Sequence, residues 1–131
     1  MPALTSMPYP NAVKVAMALL GDLAPTRLAP PPDFEPPLIV VSRIGGQPNA
    51  DDDTDYPLLL VSCYGDTYLA ATALADAVQV RVLSSPLTEA GGVLIETAEV
   101  WVGEQEVPDV YPDDRRITVT YQLSWRRQFR P

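Results

Sequence analysis

Hydrophobic residues follow two rhythms along this chain, and the changes between them mark out the elements. Between Asn11 and Leu20 the spacing is helical: Val13, Ala16, Met17, Leu20 and Leu23 form one stripe. Asn11 can cap the start and Gly21 can stop the end. Ala12, Val15 and Leu19 lie elsewhere on the cylinder, and Lys14 is its single charge. A helix apolar around most of its girth is buried on more than one side. The domain's own core and a neighbouring subunit are both open as its second cover. Leu38–Ile44 and Leu58–Tyr64 are nearly continuous apolar runs, the pattern of strands covered on both faces. Gly45-Gly46 and the polar segment 47–55 join them, which predicts a hairpin with a projecting tip.

Gly65 ends the second run, and Asp66 is the expected N-cap of a long helix. No Gly or Pro follows until Pro86, and Ala71, Leu74, Ala75, Val78 and Val82 make one stripe. That predicts a helix lying on a sheet. Val93–Val102 reads as a third strand, but its alternation breaks. A bulge near Glu96–Ala98, or burial on both faces, is required. Gly103–Asp114 is polar and reads as a connection. In Arg116–Arg126, Ile117, Val119, Tyr121, Leu123 and Trp125 alternate with polar residues, which predicts a strand with one face wet or partner-facing. Pro25–Pro37 holds six prolines in thirteen residues, so a stiff extended strap is expected there. A proline-rich ligand is disfavoured, because no two of these prolines stand three apart.

The resulting order is α-β-β-α-β-β: an α+β fold, with a four-stranded, mainly antiparallel sheet carrying two helices. Residues 1–131 read as a single domain, with the N-terminal helix and strap in 1–36 and the sheet and main helix in 37–131.

Composition narrows the chemistry. Histidine is absent, which removes Ser-His-Asp and Cys-His catalysis and histidine metal sites. One cysteine, Cys63, cannot form an intrachain disulfide, so a reducing interior is expected. Its apolar strand predicts an inert thiol. No apolar run approaches the roughly 20 residues of a membrane span, and Met1–Pro10 does not read as a signal peptide. The net charge of −8 disfavours general nucleic-acid binding. That charge is uneven. Asp51, Asp52, Asp53 and Asp55 crowd one loop, while five of the nine basic residues lie between Arg115 and Arg130. Such separation suits copies meeting head to tail.

The aspartates have the odd-position spacing of a calcium loop, but Tyr56 and Ser62 stand where its glycine and bidentate glutamate belong. Three readings of the loop remain: a solvated tip, a weak cation site, and a face toward a charged neighbour. Gly45-Gly46 and Gly91-Gly92 lack the lysine and helix of a phosphate loop and read as turns. Neither Glu104/Glu106 nor Asp113/Asp114 has surroundings that mark a catalytic pair. No catalytic, cofactor or metal site is expected. Arg126, Arg127 and Arg130, with Trp125 and Phe129, form a basic aromatic end that reads either as a protein contact or as a solvated tail.

Several stretches, taken in order, resemble the tail terminator proteins of long-tailed phages, most closely those of phages infecting mycobacteria and relatives. They are Pro8-Tyr9-Pro10, the run Pro37–Gly46, Tyr56–Val61 with its alanine-rich helix, Tyr111-Pro112-Asp113, and the strand ending at Trp125-Arg126. The resemblance implies a non-enzymatic virion protein at the tail end or neck, assembled in the host cytoplasm. It implies a ring, generally of six copies, that stops tail-tube polymerisation and offers a surface to a neck or head-completion protein. DNA would pass its lumen without specific binding, and no membrane or cofactor is involved. Asp51, Asp52, Asp53, Asp55, Arg126, Arg127 and Arg130 are then the candidate interface residues. The alternatives are a head-closure or head–tail connector protein and, from another class, a small metal-dependent enzyme using the aspartate loop.

Overall fold

The computed structural model describes residues 8–50, 53–107 and 115–126. Helix α1 spans Ala12–Leu20, and the Asn11 side chain accepts from the Val13 and Lys14 backbone N–H groups, as its position predicts. The chain then forms β1 (Thr26–Arg27), β2 (Leu38–Gly45), β3 (Thr54–Asp55) and β4 (Leu58–Gly65). Helix α2 covers Tyr68–Leu83, and β5 (Glu89–Ala90) with β6 (Val93–Leu94) makes a small separate ribbon. Two long strands close the fold, β7 (Thr97–Val107) and β8 (Arg115–Arg126).

The expected α+β domain with two helices is present, but its main sheet has six strands rather than four. Strand β8 is the spine. Along one side it pairs antiparallel with β4, from Leu58↔Gln122 to Gly65↔Arg115, and then with β3 through Asp55↔Trp125 and Thr54↔Arg126. Strand β7 runs along its other side. Strand β2 joins β4 antiparallel, and β1 lies parallel to β2, so the sheet is mixed. The two additional short strands arise where sequence propensity is silent. Inside the proline strap, Pro25 O accepts the Ile39 N–H at 2.8 Å, and this contact sets Thr26–Arg27 beside β2. The acidic loop bends back on β8 to make β3.

Both helices lie on one face of the sheet. Val15, Ala16 and Leu20 of α1 and Ala71, Ala75, Val78 and Val82 of α2 share a core with Ile39, Val41, Val61, Ile117, Val119 and Tyr121. The second cover of α1 is therefore this core, at least over Ala12, Val15, Ala16, Leu19 and Leu20. Arg81 clasps the two helices, donating to Leu19 O at 2.9 Å and to Asp22 Oδ1 at 2.6 Å. Gly65 allows α2 to start hard against β4, since a Cβ there would sit 2.4 Å from Ala71 N. Thr67 rather than Asp66 caps that helix, its hydroxyl accepting from Ala70 N–H.

The last two strands exchange the roles their sequences suggest. Strand β8 was expected to have a wet or partner-facing side, yet Thr118, Thr120 and Ser124 are buried within the chain along with its apolar set. Val93–Val102 is not one strand: it breaks at Ile95–Glu96, β7 continues to Val107, and nearly all of β7 is exposed. Position explains both. Strand β8 has neighbours on both sides whose side chains crowd around its own, whereas β7 has a neighbour on one side only among the described residues.

Candidate functional site

The acidic loop and the basic end were read as separated charges. Among the described residues, the fold brings 53–55 of the one beside Arg126 of the other. Thr54↔Arg126 is the last rung of the β3–β8 ladder, and Arg126 helps hold the Asp53 carboxyl below its ordinary range. The larger cause of that lowering is Asn49, whose amide donates to Asp53 Oδ1 at 2.7 Å. The Asn49 carbonyl accepts the Asp53 and Thr54 N–H groups, so this side chain closes the loop upon itself. Asp51 and Asp52 lie outside the described residues.

Asp55 does not project at a tip. It is 1% exposed and takes a two-pronged bond from Arg43 Nη1 and Nη2, both at 2.9 Å. Arg43 also donates to Gly45 O at 3.0 Å and Gly46 O at 3.3 Å, so one guanidinium gathers the neck of the hairpin. Gly46 adopts φ +84°, and a Cβ there would meet Tyr56 O at 2.0 Å. Tyr9, Pro10, Asn11, Val13 and Pro48 join this ion pair around an open cleft of about 400 Å³. Arg43 was absent from the sequence-based candidates. A buried carboxylate twelve residues downstream is a non-local partner that no short pattern announces.

At the basic end, Arg126 is exposed and pairs with Glu96 at 3.1 Å. Arg127 and Arg130 lie outside the described residues.

The described residues contain no group of three or more His, Cys, Asp or Glu side chains placed to hold a metal. Burial pushes the Cys63 thiol up to about 12, with Glu104 adding to the effect, so it is not a thiolate near neutrality. Tyr121 is buried without a hydrogen-bond partner for its hydroxyl among the described residues, and burial raises its pKa. Glu104 sits beside Asp76 of α2, and this contact with a second carboxyl raises its pKa. These groups supply neither a nucleophile nor an acid–base pair facing a pocket.

The remaining unusual features are surfaces. Among the described residues strand β7 pairs with β8 alone, and it exposes Val100, Trp101 and Val102. On α2, Leu69, Ala73, Asp76, Val80 and Leu83 recur at i, i+4, i+7, i+11 and i+14, opposite the buried stripe, and all are exposed. The outer side of the helix is thus apolar apart from Asp76, which meets Glu104. That second stripe was legible in its spacing, but the core-facing one drew the assignment.

An α+β domain with exposed apolar surfaces points to assembly, and comparison with known proteins agrees. The model of the phage tail termination protein family matches residues 8–130. This chain belongs to the phage tail termination protein family. It is therefore a structural protein of a phage tail. Among solved structures, a chain from the virion of a native gene transfer agent particle is similar at 16% identity. The match covers 89% of this chain and 87% of that one, with a TM-score of 0.60. Likeness at that identity shows a shared fold. No curated protein matches.

Proposed function

We propose that the protein caps the end of the tail tube as a homo-oligomeric ring of six copies, stopping tube polymerisation and presenting a surface to a neck or head-completion protein. Membership of the tail termination family over nearly the whole chain carries this reading. The surfaces support it. The sheet ends in two unlike edges, β1 and β7, and unlike surfaces are what a head-to-tail ring requires. The role is structural rather than catalytic, and its place is the tail end of the virion after assembly in the host cytoplasm. The sequence resemblance makes a phage of mycobacteria or relatives the natural source.

DNA would pass the lumen unbound. Asp51, Asp52 and Asp53 are the carboxylates that could repel it, since Asp55 is committed to Arg43. Arg126, at the end of the sheet beside β3, is proposed together with Arg127 and Arg130 as part of a contact with the tail-tube or neck protein.

Gene deletion with add-back, read by electron microscopy, tests the proposal. Overlong headless tails, corrected to defined length by the purified protein, are the expected result. Normal-length tails beside DNA-leaking heads would overturn it in favour of a head-closure protein.

A further inference from the structure

Resting on the ring reading, we infer that neighbouring copies join through the sheet, the free edge of β7 in one copy receiving the β1 edge of the next, with Arg27 meeting Glu99.

Strand β7 offers eleven residues whose outer side has no strand beside it among the described residues, and it carries exposed apolar side chains. Such an edge invites another strand unless it is blocked. Its charges are Glu99, Glu104 and Glu106, with no lysine or arginine. A second β7 would therefore face like charges, which disfavours a symmetric pairing of two identical edges. A basic edge suits it better.

The opposite edge of the same sheet, β1, carries a single charge, the arginine Arg27. Arg27 is exposed, and its one described bond is to the neighbouring carbonyl, Thr26 O at 3.0 Å. Other arginines are already engaged: Arg43 with Asp55, Arg81 with Asp22, Arg126 with Glu96, and Arg116 over the Tyr64 ring. Leu28, next to Arg27, is 66% exposed and unmatched in its own copy. The sides of the sheet also agree. Arg27 pairs with Val40, which faces away from the helices, and Glu99 pairs with Gln122, which faces the same way.

Strand direction completes the argument. Since β1 is parallel to β2, and β2, β4, β8 and β7 alternate, β1 and β7 run in opposite senses. Copies placed edge to edge in one orientation would pair them antiparallel. Two unlike edges on opposite sides of one sheet make a heterologous contact, which closes into a ring when the rotation allows. The indole N–H of Trp101 donates to Glu99 Oε1 at 2.9 Å, steadying that carboxylate while leaving it acceptor capacity.

Charge exchange on the full chain tests this. Arg27→Glu and Glu99→Arg each place like charges across the contact. Each should raise the concentration for ring formation on tail-tube ends about tenfold or more. The double variant, carrying both changes in one chain, should return it to near the parent value. Circular dichroism confirms that the exposed substitutions leave the fold intact. In mixtures of differently tagged chains, Leu28→Cys and Ala98→Cys, which face each other when Arg27 meets Glu99 in an antiparallel pair, should form a disulfide between copies, the buried Cys63 staying silent. Rings that form normally with either single variant would overturn the contact and leave the ring reading standing. Efficient Ala98→Cys disulfides between two β7 edges would overturn it in favour of symmetric pairing. Parent protein that forms no ring on tube ends would remove the ring and this contact together.

Discussion

Strands β7 and β8 are neighbours of similar length, hydrogen-bonded along most of their course, and they live in different solvents. Strand β8 alternates apolar and polar residues like a surface strand, yet it is buried on both faces. Strand β7 carries Val100, Trp101 and Val102 in succession, yet all three are exposed. The pattern of a strand tells which residues share a face. What is packed around and over that face decides whether it is dry. The polar members of β8 are accommodated by partners of their own kind, as where Ser124 meets Thr97 hydroxyl to hydroxyl. Strand β7 has two register shifts, between Val100 and Val102 and between Val102 and Gln105, which interrupt its pairing with β8.

The sharpest way to break the comparison is to delete the same side chain from each strand. Trp125 of β8 is 0% exposed, and Trp125→Ala should cost about 4 kcal/mol in urea-melt stability. Trp101 of β7 is 54% exposed, and Trp101→Ala should move the monomer by less than about 0.5 kcal/mol. Similar losses at the two sites would show that β7 is part of the core after all. A middle effect is expected where β8 meets β3. Asp55→Ala removes the ion-pair partner beside Trp125 and should cost about 2 kcal/mol, moderated because Arg43 is 34% exposed. Thermal melts of that variant beside Arg43→Ala would check it.

The smallest effect lies on β7 itself. The Asp76 carboxyl raises the Glu104 pKa above its ordinary 4.5, so the folded state holds that proton more tightly than the unfolded chain. The stabilisation is complete in acid and fades as pH rises through that range. Glu104→Gln should therefore exceed the parent by about 0.3 kcal/mol at pH 7, a figure kept small by solvent screening. The gain should vanish below pH 4. Melts at the two pH values decide it, and an equal gain at both would rule out the carboxyl contact as the cause.

Local signals in the sequence read well wherever the partner is local. Asn11 caps α1, the Ala71–Val82 stripe lies on the sheet, and β2 and β4 form the hairpin. What escaped was set at a distance. Thr26–Arg27 becomes a strand because Ile39 bonds to Pro25 O, which proline content cannot reveal. Asp55 looked like one of four loop aspartates until Arg43 turned it inward. The apolar residues of β7 suggested double burial because no pattern distinguishes a covered strand from an edge awaiting cover. Function followed the same division. The absence of histidine argued against most catalytic arrangements, whereas the family entered through likeness along the whole chain.

The clamp at the hairpin neck has a consequence for divergence. Arg43 binds Gly45 O, Gly46 O and the Asp55 carboxylate, so the two sides of the loop are tied together before the tip begins. Whatever lies between Gln47 and Asp53 hangs from a finished joint, and lengthening it costs mainly closure entropy, about 0.6 kcal/mol per doubling. Related chains are free to differ there in length and charge while keeping one sheet. The tip is a place where a lineage can change what it touches without relearning how to fold.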